Sequence, residues 1–390
     1  MRIGVKLLAF LISLTFITGI ASAAVKTGDT CKKVGTTATA NGKKYTCIKN
    51  GKKLVWNKGV AVAKPVPAVT PTPIASPSNP PQSTLEKTPT SFDDLVENYK
   101  GSYINAWIGS DSKIRGSNTL DVKQNIILGP QTTLPNLEIP AMYSRGTQFF
   151  AGYPQPKQFN AIYYVYDDIA WAQAKIFELY ENPREPEQIP RNCQTRETCN
   201  GANANVPKPS IGHANFGVMS KGIYDDYHGK GGIEIHEYAH MVQFMQFEGK
   251  PTNNRNLTLL PNWFIEGHAH LAGNVAAART LEDYKQFRKP WLKARPEGLS
   301  GYTPEAIEGF YSRLAVGKSD PSVMSNVYSI GYFTVEAMAA VKGIDSPMEL
   351  IKAVTEGDSW DSAFLKVYGI TWKDAAPILA KTVSRIYLER

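Results

Sequence analysis

The run His236-Glu237-Tyr238-Ala239-His240 sets two imidazoles four residues apart with a carboxylate beside the first. On a helix that spacing stacks both histidines on one face, so both can reach a single cation. Glu237 then lies next to the ion, where it can take the proton of an attacking water. The chemistry implied is metal-assisted hydrolysis, with zinc as the expected ion. All six histidines fall between His213 and His270, which concentrates imidazole in one window of a 390-residue chain.

A helix must carry this motif, and the pattern around it predicts one. A glycine-rich turn at 229–232 precedes it, Ile233, Met241, Phe244 and Met245 face a core, and Gly249-Lys250-Pro251 marks its end. Upstream, residues 159–166 (FNAIYYVY) read as a buried strand, 169–181 as the helix that follows, and 213–220 (HANFGVMS) as a further strand. From Asn262 onward the pattern is mostly helical, with Pro290, Pro304, Pro347 and Pro377 as the expected separators. Strands first and helices afterwards make an α+β arrangement.

A glycine at 243 and a histidine at 246 would complete the metzincin pattern, but both positions are glutamine, Gln243 and Gln246. The stretch Asn262-Trp263-Phe264-Ile265-Glu266-Gly267 instead resembles the second-helix signature of the gluzincins, the thermolysin-like and aminopeptidase-like zinc peptidases. The resemblance spans roughly residues 217–369, with specific motifs only at the zinc site. It implies a thermolysin-like zincin catalytic domain with a largely helical C-terminal part, and Glu266 as third zinc ligand beside His236 and His240. Two features depart from the family. Twenty-five residues separate His240 from Glu266, several more than in most gluzincins, so the loop 249–261 must be longer, which loop entropy tolerates. Position 270, often a carboxylate that orients a ligating histidine, is His270. Sharing a helix face with Glu266, His270 is read as an orienting group, a competing ligand or a core residue, while His268 points elsewhere.

Tyr328-Ser329-Ile330-Gly331 resembles the Tyr-x-x-Gly of aminopeptidase-like gluzincins. This implies Tyr328 as donor to the developing oxyanion, with Tyr332 as the fallback. Gly217-Val218-Met219-Ser220 resembles the family's Gly-x-Met-Glu-Asn strand, yet Ser220 stands where an amine-binding glutamate would be, which disfavours an aminopeptidase. If 213–220 is an edge strand, its backbone can pair with an extended peptide, and the expectation is an endopeptidase acting on protein or peptide substrates. Two other readings stay open: a catalytically inactive zinc-site protein that binds the cell envelope, and a zinc amidase acting on wall material.

The rest of the chain bears on location. Residues 1–23 read as a secretory signal: a basic start at Arg2 and Lys6, an apolar run at 7–20, and Ala21-Ser22-Ala23 as cleavage site. No comparable apolar run follows, so no stable membrane span is expected after cleavage. Residues 24–59 hold nine lysines against one acid, Asp29, which leaves the chain beyond the signal and this segment near neutral, 32 basic residues against 34 acidic. With strand-like 44–48 and 54–56 and turn signals at Asn41-Gly42 and Asn50-Gly51, this segment reads as a small basic β module stapled by Cys31 and Cys47. It resembles cysteine-pair modules near the N-termini of exported Gram-positive envelope proteins. Its lysines suit an anionic cell-wall polymer or a merely solvated surface, and nothing points to nucleic acid. Residues 60–90 are a linker rich in Pro, Ala, Thr and Ser, and 91–390 form the main domain. Cys193 and Cys199 make a second local pair, and export favours two structural disulfides over a four-thiolate metal site. The protein is expected to be secreted or associated with the cell envelope.

Overall fold

A computed structural model describes residues 25–61, 86–136, 138–219, 229–250 and 257–389. The chain divides into two compact units, Met1–Gln82 and Ser83–Arg390. The expected signal, most of the expected linker and Ser220 lie outside the described residues. Among the described residues no helix is long and apolar enough to cross a membrane.

In the first unit Asn41 and Gly42 both take positive φ, 49° and 68°, as a tight hairpin turn requires. They join β1 (Thr37–Ala40) to β2 (Lys43–Asn50), and a second turn at Gly51 returns the chain as β3 (Lys53–Trp56). A short β4 (Val60–Ala61) pairs with the start of β2. Tyr45 and Cys47 of β2 are buried while Lys43, Lys44 and Lys49 are exposed. So small a sheet buries little apolar surface, and the Cys31–Cys47 disulfide fixes the segment before β1 onto β2.

The second unit opens with α1 (Phe92–Leu95) and α2 (Ser102–Gly116), then β5 (Lys123–Leu128), α3 (Ile139–Phe149), β6 (Gln158–Tyr164), α4 (Ile169–Tyr180) and α5 (Ile189–Asn192). Strands β7 (Ala202–Lys208) and β8 (Ile211–Gly217) complete a sheet of order β5-β6-β8-β7. The first three in that order are mutually parallel, and β7 runs antiparallel to β8. Helices therefore interleave with the strands, and the purely helical pattern begins only after the sheet. The expected strand at 213–220 is β8, but it is not an edge: β6 and β7 flank it, and β7 is the outer strand.

Gly231, at φ 85°, opens α6 (Gly232–Met245), the helix that carries both histidines of the motif. Then follow α7 (Asn262–Ala277), α8 (Leu281–Leu292), α9 (Pro304–Arg313), α10 (Ile330–Lys342), α11 (Ser346–Thr355), α12 (Trp360–Tyr368) and α13 (Trp372–Leu388). Two of the four expected separators fail: Pro290 lies inside α8 and Pro377 inside α13. Each proline forfeits one backbone hydrogen bond, and both helices hold because their apolar faces are buried, through Tyr284 and Phe287 in α8 and Leu379 and Val383 in α13. Pro304 and Pro347 instead sit in first turns, where no hydrogen bond is lost.

Helix α7 is the centre of this unit, packed against α6 on one side and α10 on the other. A Cβ on Gly267 would stand 2.5 Å from the Gly331 carbonyl, and one on Gly331 would stand 2.5 Å from the Trp263 carbonyl. Only hydrogen fits at either position, so the two glycines set how closely α7 and α10 cross. Trp263, fully buried, anchors the start of α7 by stacking on Trp372 at 5.4 Å and meeting Trp360 edge-on at 5.9 Å. Each such aromatic pair adds about 0.5–1.5 kcal/mol beyond simple burial. On α10, Glu336 is fully buried and accepts both Arg288 hydrogen bonds, at 2.9 and 2.8 Å, together with one from the Tyr284 hydroxyl at 2.6 Å.

Two consequences are measurable. Gly267→Ala or Gly331→Ala should lower stability by roughly 1–3 kcal/mol through overpacking, whereas Gly309→Ala, with open space at its Cβ in α9, should raise it by about 0.5–1 kcal/mol, all read by thermal or urea unfolding. His213, fully buried in β8 against the Tyr180 ring, is held by burial at about 4, below its ordinary 6.5. The unfolded chain takes up a proton here that the folded chain refuses, so the contribution is complete above pH 6.5 and is lost as pH falls toward 4. His213→Phe should therefore shrink the stability difference between pH 7.5 and pH 4.5 by about 2–3 kcal/mol.

Candidate metal centre

His236, Glu237 and His240 project from α6, and Glu266 comes from the first turn and a half of α7. The two imidazoles are almost entirely buried, and the Glu266 carboxylate keeps partial access to solvent. His236 Nε2 and His240 Nε2 lie 3.1 Å apart, and Glu266 Oε2 lies 3.5 Å from the first and 3.4 Å from the second. Three electron-pair donors thus form a nearly equilateral triangle, and the group could hold a metal ion.

Mutual electrostatics reflect this crowding. Burial works against charge on Glu266, yet the His240 and His236 rings beside it hold its carboxyl well below the usual range. Burial likewise disfavours the charged form of His240, but the Glu266 carboxylate overrides it and raises the imidazole to about 9. The pair behaves as one proton-sharing unit for which a cation and protons compete. Glu237 differs: burial pushes its carboxyl up to about 8, with Glu266 and Glu234 adding to the rise against the opposing effect of His240. Its Oε2 is buried with no hydrogen-bond partner among the described residues.

Gln243 explains how the rings are set. Its Nε2 donates to the Ile265 carbonyl at 3.0 Å, which can only accept, so its Oε1 is turned toward His240 Nδ1 at 2.9 Å. In its neutral form His240 then carries its proton on Nδ1, leaving the Nε2 lone pair aimed at the triangle. The same amide nitrogen lies 3.0 Å from His268 Nδ1. Gln243 therefore ties α6 to α7 and fixes a ring tautomer in one step. In the sequence it served only to exclude another family; its position three residues after His240, on the same helix face, was the available signal.

The remaining expected residues fall into place or outside it. Tyr328 lines the same cavity of about 390 Å³ as His236, Glu237, His240 and Glu266, its ring 6.1 Å from that of His236. The Glu266 carboxylate raises its hydroxyl well above the ordinary value, and burial adds to this. Tyr332, the fallback, does not reach the cavity: it is fully buried and donates to the Tyr284 hydroxyl at 3.0 Å. His270 is not in the ligand triangle; its ring packs 4.0 Å from Trp291, 5.3 Å from Tyr332 and 5.5 Å from His236.

Across the cavity stands a wall that the sequence did not reveal. Ala202, Asn203 and Ala204 of β7 line it together with Gln188 and Asn192. Asn192 Nδ2 donates to Asn203 Oδ1 at 2.8 Å and to Asn215 Oδ1 at 2.7 Å, a ladder of carboxamides at the edge of the sheet. The buried Cys193–Cys199 disulfide and the Gly201 N–H to Asn192 carbonyl bond at 2.9 Å hold Asn192 against the start of β7. Two disulfides point to an oxidising, extracellular environment. No family model, curated protein or solved structure matches the chain.

The Gln243 bridge makes a specific demand. Gln243→Leu should weaken metal binding by about 10–100-fold while leaving the fold intact, as measured by competition with a chromogenic chelator and by circular dichroism. Gln243→Glu, which keeps an acceptor for His240 Nδ1, should lose less.

Proposed function

We propose that this chain is an exported zinc metallopeptidase of the gluzincin type, cutting within peptide chains. The observation that carries the reading is the His236, His240 and Glu266 triangle with buried Glu237 in the same cavity, its Oε2 without a hydrogen-bond partner among the described residues. A tetrahedral zinc with bonds of about 2.0–2.1 Å needs ligand atoms about 3.3 Å apart. The three edges of 3.1, 3.4 and 3.5 Å fit that ion, and two imidazoles with one carboxylate are a donor set zinc accepts.

Bound zinc would supply Lewis acidity toward the scissile carbonyl and the attacking water. Glu237 takes the proton of that water and later returns it to the leaving amine; its carboxyl, kept from solvent, is suited to both transfers. Tyr328 donates its hydroxyl to the oxygen on which negative charge develops. The outer side of β7, at Ala202–Ala204, offers main-chain groups to an extended peptide, the role first expected of β8. The fold would then be thermolysin-like, with the amino-terminal segment as a signal and the nine-lysine module attracting an anionic wall polymer.

Metal content and hydrolysis test this together. The purified wild type should hold one zinc per chain and cleave casein. Glu237→Gln should retain the zinc and lose about 10²–10⁴-fold in kcat. Unchanged cleavage by the variant would end the mechanism; zinc without cleavage of casein, but with release of amines from peptidoglycan, would favour the amidase reading.

A further inference from the structure

The cavity at the metal centre does not stop at Glu266. A second cavity, of about 520 Å³, shares Leu257, Asn262 and Ile265 with it, so the two adjoin across these side chains. Their chemistry differs. The first has the carboxamide wall of Gln188, Asn192 and Asn203, whereas the second is lined by the apolar Leu257, Leu260 and Ile265 together with the 317–319 segment that carries Lys318. Ile265 adjoins Glu266 in sequence, so the apolar chamber begins one residue from the reacting centre.

Lys318 is exposed and its ammonium makes no ion pair among the described residues. The nearest acid in sequence, Asp320, is already taken: its carboxylate accepts from Arg313 at 2.6 Å and from the Ser322 hydroxyl at 2.7 Å. Among the described residues no carboxylate lines the second chamber. A positive charge beside apolar wall residues is a reader for a carboxylate that accompanies an apolar side chain.

We propose that the second chamber is a specificity subsite, seating an apolar substrate side chain next to the scissile bond and placing a substrate carboxylate beyond it against Lys318. The assignment rests on the peptidase reading above. The 257–262 part of the long connection between His240 and Glu266 thus has a use: it forms one side of the subsite. The first cavity presents the neutral amides of Gln188, Asn192 and Asn203 where the second presents Lys318, so the two differ in what they read.

Quenched-fluorescence peptides test this, differing only in Leu or Ser at each position flanking the cut and in Asp, Asn or Lys one residue further out. A second pair compares a free C-terminal carboxylate with its amide, which separates the two sources of the charge. Wild type should prefer Leu over Ser at one flanking position by about 10–100-fold in kcat/KM, and a carboxylate over Lys beyond it by about 10-fold. Leu257→Ser should erase most of the first preference, and Lys318→Glu should invert the second. Peptides cut equally well whatever these residues, or a charge preference unmoved in Lys318→Glu, would overturn the subsite while leaving the peptidase reading standing. If no peptide is cut, the peptidase reading falls; anisotropy of the same peptides on Glu237→Gln then decides the subsite, and equal Kd for the Leu and Ser peptides would reject it.

Discussion

Bringing two imidazole nitrogens and a carboxylate oxygen within 3.5 Å of one another in a largely buried place is the constraint on which the second unit is organised. Such crowding of electron pairs is costly without a shared positive charge, since each buried ionised group forfeits several kcal/mol of hydration. The scaffold meets that cost from outside the triangle. Gln243 holds α6 to α7 by hydrogen bonds, the glycine crossing presses α10 onto α7, and the tryptophan cluster pins the start of α7. None of these groups belongs to the triangle, yet together they fix where Glu266 stands relative to the two rings.

The legible and illegible parts of the sequence divide along physical lines. The His236 and His240 spacing depends only on helix periodicity, so a local pattern suffices to place both rings. Glu266 was reachable because the aromatic residues before it and Gly267 after it record the packing of one helix on another. The outer strand β7 was invisible: ANANVPK has one β-branched residue and a proline, and its position comes from pairing with β8, not from strand preference. With β7 hidden in the sequence, nothing there shows that β8 is flanked on both sides. Pro290 and Pro377 misled in the opposite way, because helix breaking is a local penalty of a few kcal/mol that buried faces can outweigh.

The histidine cluster shows the same division. Its concentration in one window did signal a site, but the rings serve different ends. His236 and His240 point into the triangle, His268 completes the Gln243 contact, and His213 lies in the sheet, buried against Tyr180. His228 lies outside the described residues. Composition identifies a region, whereas the job of each ring depends on which lone pair its neighbours leave available.

The crossing of Gly267 and Gly331 also has a consequence in time. During synthesis the His-Glu-x-x-His helix emerges roughly ninety residues before α10, several seconds earlier at ordinary elongation rates. Until α10 arrives α7 has α6 beside it but not the glycine crossing, and Tyr328, which lies just ahead of Gly331, has not yet joined the cavity. The centre is therefore completed late, by contacts distant in sequence: a chain cut short before residue 331 keeps the Gln243 tie between α6 and α7 but lacks the crossing that presses α10 onto α7.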